Sequence, residues 1–111
     1  MDILFKERKF EKQCNQQSEL VRAHGGRRAQ LIRARLDALR AATCLEDLRN
    51  LPGRLHELKG NRKGQISFDL DHPYRLIFIP NHKPVPSTED GGMDWRRVTA
   101  VKILGIEDTH E

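Results

Sequence analysis

The apolar repeat of this chain changes once, near Pro52, and that change limits the possible folds more than any other feature. Residues 27–42 carry apolar side chains at spacings of three and four, the period of an amphipathic helix: Leu31, Ile32, Leu36 and Leu39. After Pro52 the period becomes two, because Ile66, Phe68 and Leu70 alternate with polar residues. A chain that is helical first and extended afterwards is expected to form an α+β domain, with its helices packed on one face of a sheet.

The first half is predicted to contain a strand, two helices and a short turn. Residues 2–5 form a short apolar run typical of an edge strand. A helix is expected from Glu7 to Gly25, with three residues near one face: Phe10, Cys14 and Val21. The second helix spans 27–42, and the capping-box spacing of Thr43 and Glu46 predicts one further turn.

The second half is predicted to be an antiparallel meander. Strands are expected at 54–58, 65–70, 74–79 and 98–106, with a tight turn at 60–64 and a long loop at 81–97. Because 74–79 is apolar at nearly every position, it should be a central strand that is covered on both faces. Arg75 lies inside that strand, where a guanidinium needs a partner such as Asp69 or Asp71, or a functional cavity.

Length and charge limit the organisation and the partners. The chain has 111 residues, so we expect residues 1–111 to form a single domain. Residues 1–64 carry 15 Lys and Arg against 8 Asp and Glu, whereas the remainder carries 5 against 8. A basic body of this kind suits nucleic acid or an acidic protein partner, and charge alone does not choose between them. Neither a membrane span nor a signal peptide is visible, which predicts a cytoplasmic protein.

Polar residues that could act on RNA collect in three places. His56, Lys59, Arg62 and Lys63 surround the first hairpin, Arg75 follows in the central strand, and Asp108 and His110 lie near the end. RNA carries its own nucleophile, so cleavage needs only a base, an acid and cations to neutralise the phosphorane, and no metal or other cofactor is required. The alternative for each residue taken singly is a solvated basic turn or a passive surface histidine.

Three ordered motifs resemble the HigB toxins of the RelE/ParE superfamily. They are residues 55–67 (Leu-His-Glu-Leu-Lys-Gly-Asn-Arg-Lys-Gly-Gln-Ile-Ser), residues 74–78 (Tyr-Arg-Leu-Ile-Phe) and residues 107–110 (Glu-Asp-Thr-His). The resemblance implies a RelE-like fold, in which an N-terminal strand and a helical hairpin pack on one face of a curved, mainly antiparallel sheet.

The same resemblance implies a function and a set of site residues. The expected activity is endonucleolytic cleavage of mRNA on the ribosome, as the toxin of a type II toxin–antitoxin system. The expected protein partner is a HigA-like helix-turn-helix antitoxin. Five residues match the family's catalytic positions: His56, Lys59, Arg75, Asp108 and His110. We expect Arg62 and Lys63 to bind the RNA backbone.

Other functions remain open at this point. A ParE-like inhibitor of DNA gyrase would share the fold without needing the cluster of His56, Lys59 and His110. A degenerate toxin would bind its antitoxin but not cut RNA, and Thr109, where the family usually has Tyr, would be its sign. An antitoxin would need a second helical recognition unit, which the strand pattern of the second half disfavours.

Overall fold

The computed structural model describes residues 1–108 and contains three helices and five strands. In chain order these are β1 (Asp2–Phe5), α1 (Arg8–Cys14), α2 (Gln17–His24), α3 (Gly26–Ala41), β2 (His56–Glu57), β3 (Ile66–Asp69), β4 (Tyr74–Pro80) and β5 (Ala100–Asp108). Single 3₁₀ turns lie at Leu45–Leu48, Gly60–Arg62 and Trp95–Arg97. No helix among these residues is long and apolar enough to cross a membrane.

All five strands form one sheet in the order β1-β5-β4-β3-β2. The meander β2 to β5 is antiparallel throughout, and β1 adds to β5 in parallel at the edge. β4 is the central strand, and Leu76, Ile77 and Phe78 within it are completely buried. The predicted α+β class, the edge strand at the N-terminus and the central position of residues 74–79 are therefore confirmed.

The first helical segment differs from the single helix expected between Glu7 and Gly25. The helix ends at Cys14 and a new one starts at Gln17, because Gln16 is extended. This break turns the second segment about its axis, so that Leu20 is buried and Val21 is 40% exposed. The expected position of Val21 on the buried face was wrong. Gly25, with φ 85°, then lets the chain turn into α3.

The main core lies between α3 and one face of the sheet. α3 contributes Ile32, Leu36 and Leu39, and β3 and β4 contribute Phe68 and Phe78; all five are fully buried. The chain passes closely beneath β3 at Gly53, where a Cβ atom would lie 2.4 Å from the Phe68 ring. Glycine is therefore required there, both for this approach and for its φ of 117°.

Residues 81–97 form an ordered excursion rather than a hairpin turn. An isolated bridge pairs Ser87 with Met93, and the Asp94 amide donates to the Pro86 carbonyl. Trp95 anchors this excursion: it is 5% exposed, and its indole N–H donates to Glu57 of β2 at 2.9 Å. The Arg49 guanidinium lies 4.2 Å from the centre of the same ring. The loop thus supports β2 from the helix side.

Candidate functional site

Strand register places a polar surface on the side of the sheet away from the helices, which we call the open face. One row of cross-strand neighbours on it runs His56, Ser67, Ile77, Gly105. The next row, about 7 Å away, runs Asp69, Arg75, Glu107. Ile77 is fully buried without belonging to the helix-side core. Two side chains of the open face, Ser67 and Ile77, are therefore buried outside the helix-side core.

His56 is held on this face in a defined tautomer. It is half-buried, and its Nδ1 lies 2.8 Å from the Arg54 carbonyl oxygen. Because a carbonyl can only accept, the neutral imidazole carries its proton on Nδ1 and keeps a lone pair on Nε2. His56 can therefore accept a proton through Nε2.

Lys59 and Lys63 flank the short turn that follows β2, and both are exposed. Strict alternation along a strand at 54–58 would have sent His56 and Lys59 to opposite faces. β2 ends at Glu57, however, so Lys59 lies beyond the strand and its direction is set by the 3₁₀ turn at Gly60–Arg62. The two lysines supply positive charge to the connection between β2 and β3.

Arg75 is the most buried cation of the site, with 11% of its side chain exposed. Its Nε lies 3.5 Å from Asp69 Oδ1, so Asp69 is the structural partner, one of the two carboxylates considered for it. Glu107 lies opposite it on β5. Within residues 1–108, Arg75 Nη1 is buried and has no hydrogen-bond partner.

Arg62 is committed to contacts inside the protein. It donates to Gln65 at 2.9 and 2.7 Å, and its Nη2 lies 2.6 Å from Glu107 Oε2. Since Gln65 precedes β3 and Glu107 belongs to β5, the Arg62 side chain crosses over the open face at β4. A polyanion that binds Arg62 has to compete with Glu107.

Sequence reasoning named Asp69 only as a possible partner of Arg75 and gave Arg54 and Glu107 no role on this surface. Asp69 Oδ2 accepts from Arg54 Nε at 3.0 Å, so one carboxylate joins two arginines. The period of two along β3 could have placed Asp69 beside Ser67 on the polar face. Nothing in the sequence signals that Arg54 adopts φ 46°, a left-handed conformation that is rare outside glycine. Glu107 was part of a quoted motif but received no role.

Strand register puts Asp108 on the opposite side of the sheet from the open-face rows. It pairs with Tyr74, and alternation from Glu107 puts it toward the helix side. There the Arg28 guanidinium lies 3.5 Å from the centre of the Tyr74 ring and its Nε lies 3.0 Å from Asp71 Oδ1. Desolvation opposes ionisation of Asp71, but Arg28 overcomes it and lowers the pKa of that carboxyl. Thr109 and His110 lie outside the described residues.

The open face therefore offers a proton acceptor, several cations and no obvious metal centre. Among residues 1–108 no group of three or more His, Cys, Asp or Glu side chains is arranged to hold a metal ion. Positive charge comes from guanidinium and ammonium groups, which bind phosphate oxygens through charge-assisted hydrogen bonds. Such a surface is suited to a phosphodiester.

Three solved structures are similar to this chain over nearly its full length. A chain of the YoeB dimer from Staphylococcus aureus is 18% identical, with a TM-score of 0.55, over 100% of this chain and 98% of that one. A chain of the YoeB–YefM complex from the same organism gives 16% and 0.56 at the same coverage. A YoeB/ParE toxin from Agrobacterium tumefaciens gives 12% and 0.52, over 99% of this chain and 100% of that one. At these identities the likeness establishes the fold alone.

Sequence comparison gives the family. No curated protein matches the chain. Residues 5–86, well over half of the chain, match the family described as "RelE-like toxin of type II toxin-antitoxin system HigB". The matched stretch includes His56, Lys59 and Arg75 and ends before β5. The chain therefore belongs to the HigB-like toxins, the RelE-like toxins of type II toxin–antitoxin systems.

Proposed function

We propose that this toxin is a ribosome-dependent endoribonuclease that cuts mRNA without a metal ion. The observation that carries the proposal is the open face, where the Arg54 carbonyl holds His56 through Nδ1, in the row next to the one that contains Arg75. A base and a buried guanidinium on one surface supply two of the three kinds of group that transphosphorylation needs, the third being an acid. The exposed lysines of the connection between β2 and β3 add attraction for RNA.

The proposed reaction uses the 2′-hydroxyl of the RNA as nucleophile. His56 Nε2 accepts the proton of that hydroxyl as the 2′-oxygen attacks the adjacent phosphorus. The bond from phosphorus to the 5′-oxygen then breaks, and an acid returns a proton to this leaving oxygen. The products are a 2′,3′-cyclic phosphate and a 5′-hydroxyl, so this step consumes no water.

The remaining residues are assigned by motif and position. Arg75 and Lys59 stabilise the extra negative charge on the phosphorane. His110 is the acid, and Asp108 orients or modulates it; the structure does not describe His110, so this assignment rests on the motif. Arg62 and Lys63 bind the RNA backbone, and Arg62 does so after leaving Glu107.

We further propose that the toxin acts in the cytoplasm and is neutralised by a cognate antitoxin. A similar fold occurs in a YoeB–YefM complex, which supports an antitoxin partner for this chain too. The HigB-like family membership favours a HigA-like antitoxin with a helix-turn-helix. Co-purification with the product of a neighbouring small gene would test this pairing.

The direct test is cleavage of ribosome-bound mRNA, mapped by primer extension, for His56→Ala, Lys59→Ala and His110→Ala. We expect each variant to lose most of its cleavage and its toxicity to growing cells. His72→Ala and Lys83→Ala are matched controls, because both residues are of the same type and lie outside the open-face rows. Unchanged cleavage by Lys59→Ala and His110→Ala would overturn the assignment.

A second candidate is a toxin-fold protein that binds its antitoxin without cutting RNA. Two observations favour it: Asp108 faces the helix side, and Thr109 stands where the family usually has Tyr. In that case the wild-type protein would not cleave, and Thr109→Tyr would gain cleavage. A gyrase supercoiling assay on the same preparations tests the ParE-like alternative.

A further inference from the structure

The break between α1 and α2 leaves an open cleft of about 770 Å³ at one corner of the helical layer. α1 lines this cleft with three cations: Arg8, Lys9 and Lys12. The inner sides of the two helices, at Cys14 and Leu20, belong to the core between α3 and the sheet. The cleft is therefore part of the helical layer and is separate from the open face and its rows of site residues.

The three cations of α1 are exposed, and within residues 1–108 none of their side chains has an ion pair or a hydrogen bond. The other two helices pair cations with acids one turn away. In α2, Glu19 lies 3.2 Å from Arg22. In α3, Asp37 lies 4.0 Å from Arg33 and 3.9 Å from Arg40. The positive charge of α1 is thus left available to a ligand.

The order of charges along α1 works against the stability of that helix. Arg8 and Lys12 are four residues apart, and Lys9 and Lys12 are three apart, so like charges are neighbours on its surface. Glu11 follows Arg8 by three residues, but no ion pair joins these two described residues. Charges that served helix stability alone would alternate in sign at such spacings. The clustered cations are instead suited to binding a polyanion.

The rest of the cleft is polar. It contains three amides, Gln13, Asn15 and Gln16, and the carboxylate of Glu19, which is paired with Arg22. The side chains of Asn15 and Gln16 are exposed and have no hydrogen-bond partner among residues 1–108. An amide group can donate to and accept from a 2′-hydroxyl. Of the described residues that line the cleft, none is aromatic or aliphatic.

This lining distinguishes between the polyanions that a basic cleft attracts. Sites for single-stranded RNA stack its bases on aromatic rings, and none of the described lining residues is aromatic. The centre of a protein interface is apolar, and this cleft offers no apolar side chain from the described residues. Double-helical RNA keeps its bases stacked inside and presents phosphates and 2′-hydroxyls. Cations match the phosphates, and the uncommitted amides match the hydroxyls.

We propose that the cleft between α1 and α2 binds the backbone of double-helical RNA. Arg8, Lys9 and Lys12 hold phosphates, and Asn15 and Gln16 form hydrogen bonds with 2′-hydroxyls. This site goes beyond the proposed function, because the RNA that it holds is not the segment that is cut on the open face. It requires neither cleavage nor the residues of that face.

The experiment measures the affinity of the full chain for a blunt RNA duplex of about 16 base pairs, by fluorescence anisotropy at several salt concentrations. The cleft variant combines Arg8→Gln with Lys12→Gln. It should bind the duplex roughly tenfold more weakly, as expected for the loss of two exposed charge contacts. The plot of log affinity against log salt should become shallower by about two. Because both side chains are exposed and have like charges, the variant should fold as well as the wild type.

The matched control combines Lys83→Gln with Arg96→Gln, which removes the same two types of cation from exposed residues of the 81–97 excursion. It should weaken duplex binding by less than about twofold. A single-stranded RNA of the same length, which the open face is proposed to hold, should bind the cleft variant less than about twofold more weakly than the wild type.

The hydroxyl contacts are tested with a DNA duplex of the same sequence. The wild type should prefer the RNA duplex, and Asn15→Ala combined with Gln16→Ala should reduce that preference. An unchanged preference for RNA in this variant would overturn the role of the two amides.

Three results would overturn the site as a whole. An unaltered duplex affinity in the cleft variant would show that these cations do not hold RNA. Equal losses in the cleft variant and its control, or equal losses for duplex and single strand, would show that net charge alone attracts RNA. A glutamate-rich peptide that shifts the NMR amide signals of residues 8–16, while the duplex does not, would assign the cleft to an acidic protein segment instead.

Discussion

The two faces of the sheet bury residues for different reasons, and the neighbours Phe68 and Ser67 show the contrast. Both are completely buried. Phe68 faces α3, in a core of carbon atoms, whereas Ser67 faces the other way with a hydroxyl that has no partner within residues 1–108. Burial on the helix side stabilises the fold. Burial on the open face costs stability and maintains a polar arrangement, as expected of a site that is organised before its ligand arrives.

The largest effect expected from this contrast is on stability. Phe68→Ala should lower the free energy of unfolding by about 3–5 kcal/mol, because it leaves a cavity between α3 and β3. Ser67→Ala should change it by less than about 1 kcal/mol and in the stabilising direction, because it removes an unsatisfied hydroxyl. Urea unfolding of both variants measures this. A large loss for Ser67→Ala would mean that the open face also serves as a core.

A smaller loss of stability is expected when the hydrogen bond from Trp95 to Glu57 of β2 is removed. This contact lies on the helix side, whereas His56, the neighbour of Glu57, lies on the open face. Trp95→Phe keeps a ring beneath Arg49 but cannot donate to Glu57, so it should cost about 1 kcal/mol. Since His56 is adjacent to Glu57, faster hydrogen exchange of the His56 amide should accompany that loss. Glu57→Gln keeps an acceptor and should show less of both changes. Equal exchange rates in the Trp95→Phe variant and the wild type would show that the loop does not support the site.

The smallest effect is a pH dependence on the helix side. Burial, and then the charge of Arg28, lowers the pKa of His24 below its ordinary 6.5. The unfolded chain therefore binds this proton more readily, and stability falls as the pH drops below 6.5 toward the folded value. His24→Gln should flatten this part of the curve of unfolding free energy against pH. An unchanged slope between pH 7 and 5 would contradict the burial of a neutral imidazole.

Periodicity predicted the helix-covered face well. The stripe of Ile32, Leu36 and Leu39 and the alternation of Ile66 and Phe68 both correspond to the buried side in the structure. Such residues are placed by the removal of apolar surface from water, and this signal accumulates along the chain. The break between Cys14 and Gln17 escaped prediction because no Pro or Gly marks it. Because of this break, Leu20 is buried in the place where Val21 was expected.

The open face was only partly predictable. Motif resemblance singled out His56 and Arg75, which register brings to this face. Alternation also indicated that His56 and Lys59 would point to opposite faces if both lay in one strand, and in the structure β2 ends before Lys59. The pairing of Arg62 with Glu107 could not be foreseen, because it joins residues 45 positions apart through a contact across the sheet. Nothing in the sequence indicates the left-handed backbone conformation of Arg54 either. The roles of all seven site residues, five of them catalytic and two RNA-binding, remain predictions.

Cleavage by a matched pair of arginine variants tests the central claim, that the open face is the functional face, most directly. Arg75 lies on the open face, whereas Arg33 of α3 pairs with Gln17 and the Cys14 carbonyl on the helix side. We predict that Arg75→Ala lowers the rate of ribosome-dependent mRNA cleavage by about 100-fold or more, as expected for the loss of a cation at the phosphorane. Arg33→Ala should retain its activity per folded molecule. Wild-type cleavage by Arg75→Ala would contradict the account.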